Sequence, residues 1–342
     1  MNPTTTVTTK VSIVIPAYKR PKQLAEAVNS CIAQTLLPYE IIIGDDSPDS
    51  QAETEVERIR SHTDIAIKYV RNSPSLGQAG NVNMLFDSAS GERVLLLHDD
   101  DMLLPNALEV LCNCFTNNPQ ISVAYGKQFI MTGDGTVSIK RSEGYNKSFY
   151  RTKEYEGSKL TSLEAGMVQQ FPNNAYLIET ALAKKVKYRD IGDACDFDFG
   201  LRVSQSGAKI HFTDTYTSKY RISEESVSMR SMNDAALKAY FMVKDIAVHG
   251  ESLNLRNKWL QDRSGVAVGQ AIANRKIKSA VMIFFSRYHF RKVFTPGGMK
   301  RLLLIMIHLC SIKVLYGFLL LLRTKPPFYY QRPQESVVEK KI

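Results

Sequence analysis

The stretch VSIVIPAY at residues 11–18 is the first of five apolar runs that decide the fold class of this chain. The other four runs lie at residues 39–46, 66–72, 92–100 and 121–131. Segments with helical periodicity separate them, at residues 21–35, 52–62, 77–90 and 105–119. Strands and helices that alternate with short connections predict an α/β fold, in which helices flank both faces of a mostly parallel sheet.

Acidic side chains follow two of the predicted strands. Asp45 and Asp46 end the run YEIIIGDD, and Asp99, Asp100 and Asp101 follow the run RVLLLH. The carboxyl ends of parallel strands form the ligand-binding edge of such sheets, so we expect both groups there. One aspartate could cap the next helix, but capping does not explain three. A proton-sharing pair and an exposed turn are alternatives to a site for Mg2+ or Mn2+, which takes carboxylate oxygens together with substrate phosphates.

Composition favours a protein with a real core in a reducing compartment. The chain has 342 residues, and 44% of them are hydrophobic. Its five cysteines are scattered and form no CxxC pair, which is typical of neither a disulfide framework nor a structural zinc site. The sequence starts MNPTTTVTTK, without the apolar region of a secretory signal, and we therefore expect a cytoplasmic location.

The net charge of +10 is concentrated in the C-terminal part of the chain. Residues 251–342 hold 17 Lys and Arg against 4 Asp and Glu, whereas residues 1–250 hold 27 and 30. A basic region of this kind can bind nucleic acid or an anionic membrane surface. Its high apolar content favours the membrane surface, and we expect no nucleic acid partner.

The C-terminal region contains two segments that suit a membrane. In IKSAVMIFFSRYHF, at residues 277–290, an apolar helical stripe is predicted to lie in the lipid headgroup layer, with basic residues around it. The stripe comprises Ile277, Val281, Phe284, Phe285 and Tyr288. The second segment, residues 302–322, is long enough to span a bilayer. We expect peripheral, monotopic attachment by both segments; a single transmembrane helix at 302–322 and a buried core helix are the alternatives.

Three motifs resemble, in their order and spacing, the signatures of family 2 glycosyltransferases with the GT-A fold. They are VSIVIPAYKRPKQLAEAVNSCIAQTLLPYEIIIGDDSPD, NSPSLGQAGNVN and LLLHDDDMLLPNAL, and the resemblance spans roughly residues 10–225. It implies a Rossmann-like GT-A domain at 10–235, with a nucleotide-sugar-binding half at 10–130 and an acceptor-binding half at 131–235. Residues 1–9 would be a flexible N-terminus, and 236–342 a helical basic and apolar extension that associates with membranes.

The resemblance also implies which side chains bind a nucleotide-sugar donor. These are Pro16, Ala17 and Tyr18 at the end of the first strand, Arg20 nearby, Asp45, Asp46, Asn81, His98 and Asp99. In the family's D-x-D motif, His98 stands at the first aspartate, Asp99 at the variable position and Asp100 at the metal ligand. Asp101 would cap or brace. Gly80 replaces the basic residue that often precedes Asn81.

A later motif, CDFDFGLR at residues 195–202, resembles the family's catalytic segment. It makes Asp196 the general base, with Asp193 as the fallback, whereas Asp198 and Arg202 would support the helix. Acids at a helix N-terminus are also favoured by the helix dipole without any catalytic role. In YRISEESVS, at 220–228, Ser223 stands where relatives often have a histidine, so Arg221 or Ser223 would take over its contact with metal or diphosphate.

Together these features predict an inverting, metal-assisted hexosyl- or deoxyhexosyltransferase. It would transfer sugar from a nucleotide-sugar to a hydroxyl of a glycan acceptor. As among bacterial relatives, that acceptor would be linked to a polyprenyl diphosphate, and the reaction would serve surface polysaccharide synthesis at the cytoplasmic face of the inner membrane. His98, Cys195 and Ser223 depart from the family's pattern. The alternative is therefore a catalytically silent, membrane-associated protein that binds nucleotide-sugars.

Overall fold

A computed structural model describes residues 9–222 and 233–309, and these divide into two compact units. The first unit contains the described residues up to Asp190 together with Phe199–Ile222. The second contains Ile191–Asp198 and residues 233–309. The domain boundaries expected from the sequence stay a prediction.

The first unit is built on one mixed sheet. Its strands are β1 (Val11–Ala17), β2 (Glu40–Asp45), β3 (Ile67–Arg71), β4 (Arg93–Leu96), β5 (Met102–Leu103), β6 (Val123–Thr132), β7 (Val137–Ser138), β8 (Tyr176–Glu179) and β9 (Ile210–Ile222). They lie in the order β3-β2-β1-β4-β8-β6-β9-β5, with β7 beside β6. The first four run parallel, and β8 is antiparallel to both β4 and β6. The α/β class predicted from the sequence is confirmed.

Helices connect the strands of the first unit and build most of the second. In chain order they are α1 (Pro21–Ile32), α2 (Gln51–Arg60), α3 (Gly77–Ser88), α4 (Ala107–Asn117), α5 (Ile139–Ser148), α6 (Ser162–Met167), α7 (Thr180–Val186), α8 (Cys195–Gln205), α9 (Ala235–Lys244), α10 (Gly250–Ala273), α11 (Ile277–Phe284) and α12 (Pro296–Leu309). The first turn of α8 belongs to the second unit and the rest of α8 to the first.

The central strands are apolar along their whole length because both of their faces are covered. Ile13 and Ile15 of β1 point to one face, where they join the main core with Leu24 and Val28 of α1. Val14 points to the opposite face and is fully buried, and α3 packs against β1 and β2. This two-sided burial fixes the parallel strands, and with them the edge at which their carboxyl ends meet.

Glu40 anchors the other end of β2. Ser12 Oγ and Ser90 N donate to its Oε1 at 2.7 and 2.8 Å, and Lys68 Nζ donates to its Oε2 at 2.6 Å. Burial alone would raise the pKa of Glu40, but the hydrogen bonds from Lys68, Ser12 and Ser90 lower it below the usual range. The carboxylate therefore stabilises the sheet in its charged form.

The predicted fourth strand is too long. β4 ends at Leu96, Leu97 N still donates to Val14 O at 3.0 Å, and a turn follows in which Asp101 N donates to His98 O at 3.2 Å. The acidic residues therefore lie on a loop beyond the strand. Alternation along the sequence also did not predict β8, which lies between β4 and β6 and reverses the local strand direction.

The second unit is helical, but the predicted amphipathic helix at 277–290 is too long, and its predicted stripe is only partly exposed. α11 ends at Phe284, and of the predicted membrane stripe Phe284 and Tyr288 are buried, whereas Phe285 is exposed. His289 is also buried, with its Nδ1 3.0 Å from Ser264 Oγ. Burial, then the charges of Arg301 and Lys292, lowers the pKa of His289 to about 4.

Within residues 9–222 and 233–309, we find no helix with the length and apolar character that crossing a bilayer requires. Of the predicted span 302–322, residues 302–309 form the end of α12. Residues 310–322, which include Cys310, lie outside the described residues.

Candidate functional site

Three strand ends meet at one edge of the sheet in the first unit. β1 and β2 pair in parallel through Ala17 and Asp45, and Asp46 N donates to Ala17 O at 3.0 Å. β4 pairs with the other side of β1, and after it Asp99 Oδ2 accepts a hydrogen bond from Tyr18 N at 2.9 Å. Both acidic groups therefore follow strands that end at the same edge.

Arg20 holds two adjacent carboxylates together at this edge. Its Nη1 lies 3.0 Å from Asp99 Oδ1 and 2.6 Å from Asp100 Oδ2. Burial, then the neighbouring Asp100, raises the pKa of Asp99 to about 6, although Arg20 and the Tyr18 amide oppose this rise. The guanidinium thus offsets a repulsion that would otherwise separate the carboxylates.

Asp101 is buried and braces the acidic loop. Arg221 N donates to its Oδ1 at 2.7 Å, and Asn174 Nδ2 donates to its Oδ2 at 2.9 Å. Burial, then the charge of Asp100, raises the pKa of Asp101 well above its usual range. Asp101 therefore ties the loop after β4 to β9 and to the segment that precedes β8.

Arg221 supports the same loop with its side chain. Nε donates to Asp100 O at 2.8 Å, Nη1 donates to Gly133 O at 2.7 Å, and Nη2 pairs with Glu26. The structure thus uses Arg221 as a brace for the acidic loop. Ser223, the other residue expected to replace a family histidine, lies outside the described residues.

The residues around Asp100 fit a divalent cation. One ligand atom from each of His98, Asp100 and Asp101 lies within 4.8 Å of the other two. Ligands of an octahedral Mg2+ at about 2.1 Å lie up to roughly 4.2 Å apart, so small shifts would close the site. Asn174 Nδ2 lies 3.3 Å from His98 Nδ1, and the buried Asn174 Oδ1 has no hydrogen-bond partner within the described residues. Two carboxylates and an imidazole suit Mg2+ or Mn2+.

Asp45 is fully buried at the end of β2. Its Oδ1 accepts hydrogen bonds from Ser47 N at 2.9 Å and Ser47 Oγ at 2.5 Å, and its Oδ2 accepts one from Tyr69 OH at 2.6 Å. Burial, then the Asp45 carboxylate, raises the pKa of Tyr69 well above its usual value. The carboxylate shapes the turn after β2, and its contact with a base or ribose stays a prediction.

Asp46 and Asn81 belong to a second network at the same edge. Asn72 Nδ2 donates to Asp46 Oδ1 at 2.8 Å and lies 3.2 Å from Asn81 Oδ1, while Leu76 N donates to Asp46 Oδ1 at 3.1 Å. Asn81 Nδ2 donates to Gly44 O at 2.7 Å. Asn81 therefore fastens α3 to β2, and a donor-binding role for it stays a prediction.

Tyr18 is the exposed aromatic group of this edge. Pro16 is partly buried and Ala17 is buried, but 48% of Tyr18 is exposed, which leaves its ring open for a base to stack on. Lys19 Nζ lies 4.9 Å from the centre of that ring, and Lys19 N donates to Ser47 Oγ at 2.7 Å. Lys19 therefore places a cation beside the predicted donor site.

The predicted catalytic acids lie in the second unit. Asp193 belongs to the short turn at Gly192–Ala194, and Asp196 belongs to the first turn of α8. Arg202, in the part of α8 that belongs to the first unit, donates to Val186 O and Lys187 O, at 2.5 Å each. Arg202 thus fastens α8 to the end of α7, and the base role of Asp196 stays a prediction.

Sequence reasoning missed the residues that hold the acids in place. Glu26, Ser47 and Asn72 lie inside the quoted motifs but received no role from them, and Tyr69 and Asn174 lie outside the motifs. Asn174 lies in the segment FPNNAYLI before β8, which the sequence marks only as an apolar run preceded by two asparagines. The two adjacent asparagines directly before an apolar run are the one sequence signal that could have indicated this contact.

Comparisons with known proteins agree with the motifs. Residues 12–171 match the family described as Glycosyl transferase family 2. The chain is 24% identical over 236 residues to an uncharacterised glycosyltransferase of Methanocaldococcus jannaschii, covering 68% of this chain and 78% of that protein. It is 30% identical over 127 residues to an Escherichia coli UDP-Glc:α-D-GlcNAc-diphosphoundecaprenol β-1,3-glucosyltransferase, covering 37% of this chain and 49% of the enzyme.

Solved structures with low sequence identity share the fold. Staphylococcus aureus TarS 1–349 in complex with UDP has a TM-score of 0.56 at 16% identity, covering 85% of this chain and 88% of that one. A mannosyltransferase from Pyrobaculum calidifontis in complex with GDP-Man and Mn2+ has a TM-score of 0.53 at 13% identity, covering 90% and 88%. The GT-A fold that the motifs implied is confirmed.

Proposed function

We propose that this chain transfers a hexosyl or deoxyhexosyl group from a nucleotide-sugar to a hydroxyl of a glycan acceptor, with inversion, because its residues 12–171 match the family described as Glycosyl transferase family 2. The observation that carries the proposal is the grouping of His98, Asp100 and Asp101 at the carboxyl edge of the sheet. In an α/β sheet this edge is where a nucleotide binds. The solved TarS complex holds UDP, which makes a nucleoside diphosphate a fitting probe.

The donor would lie along β1 and the loop after β4. The half-exposed Tyr18 ring would stack on the base, and Lys19 beside it would supply the cation that Gly80 does not. Arg20 would reach the diphosphate only by sharing its guanidinium with Asp99 and Asp100. The charge of Arg20 would lessen the repulsion between the acidic loop and an incoming diphosphate.

A divalent cation, Mg2+ or Mn2+, would be held by Asp100 with His98 and Asp101. When bound, it would neutralise the charge that develops on the nucleoside diphosphate leaving group. Asn174 and Arg221 would keep the ligands in place, because they hold the Asp101 carboxylate and the Asp100 backbone carbonyl. Support of this kind around metal ligands preserves their geometry and affinity.

Asp196 would take the proton from the attacking acceptor hydroxyl, as a general base does. A single displacement at the anomeric carbon inverts its configuration. Asp193, three residues earlier, is the fallback for this role. Asp196→Asn should abolish transfer but leave donor binding intact, and Asp193→Asn is its matched control. Full turnover by Asp196→Asn combined with loss of turnover by Asp193→Asn would move the base to Asp193.

The acceptor we propose is a glycan linked to a polyprenyl diphosphate, in bacterial surface polysaccharide synthesis at the cytoplasmic face of the inner membrane. The name of the E. coli relative describes an acceptor attached to diphosphoundecaprenol. The chain spans 49% of that enzyme, so the likeness supports the class of acceptor and leaves the individual sugar open.

The test is a panel of UDP- and GDP-sugars with Mn2+ or Mg2+, read as nucleoside diphosphate release with lipid-linked acceptors present. Asp100→Asn should lower metal-dependent release at least a hundredfold. Asp64→Asn, at an exposed acid of the same unit, should leave it unchanged. Equal release by both variants would overturn the metal-ligand assignment. No donor binding and no release with any sugar nucleotide would overturn the proposed activity.

A further inference from the structure

The second unit exposes three large aromatic side chains within ten residues. Phe285 and Phe290 are each 66% exposed and Phe294 is 81% exposed. They follow α11 and surround the short turn at Phe290–Lys292. Large apolar side chains grouped on a surface usually mark a binding site, because their contact with water is unfavourable.

α12 continues this apolar surface. Met299, Leu303 and Met306 are exposed, and their spacing of four and three residues places them on one side of the helix. The N-terminal end of α12 lies against the phenylalanine segment, since a Cβ on Gly298 would come within 1.9 Å of Lys292 O and 2.4 Å of Val293 O. The buried Ile305 lies on the packed side of the helix. We call Phe285, Phe290, Phe294, Met299, Leu303 and Met306 the apolar surface.

The charge of this region decides what can cover it. Residues 276–309 contain seven Lys and Arg and no Asp or Glu. Lys278, Arg291 and Lys300 are exposed, and the last two alternate along the sequence with members of the apolar surface. A second copy of the chain would bring the same positive charge, and residues 310–342 hold six Lys and Arg against two Asp and Glu. Neither occupant complements the positive charge of this region, whereas an anionic lipid layer does.

We propose that the apolar surface inserts into the headgroup layer of an anionic bilayer, with the exposed cations between its members paired with lipid phosphates. Aromatic and aliphatic side chains next to Lys and Arg are the combination that interfacial anchors use. The inference rests on the function proposed above, at a membrane face, and names the residues that would contact lipid. It replaces the stripe expected from the sequence, because Phe284 and Tyr288 pack inside the unit and cannot reach lipid without unfolding it.

The test measures binding of the full chain to sedimented vesicles without any sugar nucleotide. Vesicles of phosphatidylcholine with about a third phosphatidylglycerol should bind the protein, and vesicles of phosphatidylcholine alone should bind it at least tenfold more weakly. Phe285→Ser, Phe290→Ser and Phe294→Ser combined should weaken binding at least tenfold. Leu37→Ser, Val70→Ser and Ile139→Ser combined remove three exposed apolar side chains of the first unit and should leave binding unchanged.

A second measurement reports insertion directly. Brominated lipids should quench the fluorescence of the tryptophan introduced by Phe294→Trp. They should not quench that of the native Trp259, the single tryptophan of the chain, because it is buried. Unchanged binding by the triple phenylalanine variant, or an unquenched Trp at position 294, would overturn the proposal. So would equal binding to neutral vesicles, or a dimer in solution that the triple variant dissociates. Because nucleoside diphosphate release is measured separately, loss of vesicle binding with release intact leaves the transferase assignment standing.

Discussion

Replacement of Gly44 by alanine should disrupt the contact between β2 and α3 at the predicted donor edge. A Cβ on Gly44 would lie 2.1 Å from Asn81 Oδ1 and 2.9 Å from Met84 Cε. The first distance is far below any normal contact, and the carboxamide of Asn81 is fixed by hydrogen bonds to Gly44 O and Asn72 Nδ2. The side chain must therefore leave its position when the methyl group enters.

The cost follows from those contacts. Overpacking in a core costs about 1–3 kcal/mol, and two lost hydrogen bonds cost about 1 kcal/mol each. We expect a loss of about 3–5 kcal/mol in the free energy of unfolding. For a unit of this size, 1 kcal/mol corresponds to about 2–4 °C in Tm, so Tm should fall by about 6–20 °C.

Scanning calorimetry of the full chain measures the effect. Gly144→Ala is the matched control, because no atom lies within 4 Å of its Cβ and the residue is inside α5; it should stabilise the helix by up to about 1 kcal/mol. Adding Asn81→Ala to Gly44→Ala should recover part of the loss, since the clashing group is gone. A Gly44→Ala Tm within 2 °C of the parent, or strict additivity of the two changes, would refute the steric argument.

Three further predictions concern charge and burial. Glu40→Gln should lower the free energy of unfolding at pH 7 by about 1–3 kcal/mol. Because folding lowers the pKa of Glu40, the parent's extra stability over the variant should disappear as the pH falls through and below about 4.3. Measuring the Tm of both proteins across this pH range checks the prediction. The buried His289 has a lower pKa in the folded protein than in the unfolded chain, so acid favours the unfolded state. The free energy of unfolding of the second unit should therefore fall by up to about 3 kcal/mol between pH 6.5 and 4. Urea unfolding followed by Trp259 fluorescence measures this, and a flat pH profile would contradict it. Asn174→Ala should destabilise the first unit by about 1–3 kcal/mol and weaken Mn2+ binding, whereas Asn118→Ala, at the end of α4, should leave Mn2+ binding unchanged.

The sequence predicted the first half of the fold well because its local and global preferences agree. Each central strand is a continuous apolar run, and such a run can be buried on both faces only in a sheet covered by helices. The same logic predicted that Asp45 and Asp99 follow strands that end at one edge. It failed at β8, whose pattern YLIE fits either strand direction. Only packing between β4 and β6 decides that direction.

The C-terminal region shows why periodicity alone misplaced a surface. In residues 277–290 the apolar side chains outnumber the polar ones, so more than one helical stripe can be drawn. The helix ends at Phe284, and the turns that follow rotate later side chains away from any stripe extended from α11. Tyr288 and His289 consequently become part of the packed interior, and Phe285 and Phe290 face outward.

The acidic loop poses the opposite problem, because its motif was visible and its supports were not. Carboxylates on adjacent residues repel one another, and burial increases the repulsion. The loop persists because each acid has a partner. Arg20, at the N-terminal end of α1, pairs with both Asp99 and Asp100, and Asn174 and the β9 backbone donate to Asp101. In the sequence, Asn174 and Arg221 lie 73 and 120 residues from Asp101. Arg20 lies 79 and 80 residues from Asp99 and Asp100. Contacts at such separations exist only once the sheet has formed, and therefore the fold itself holds the acidic residues together.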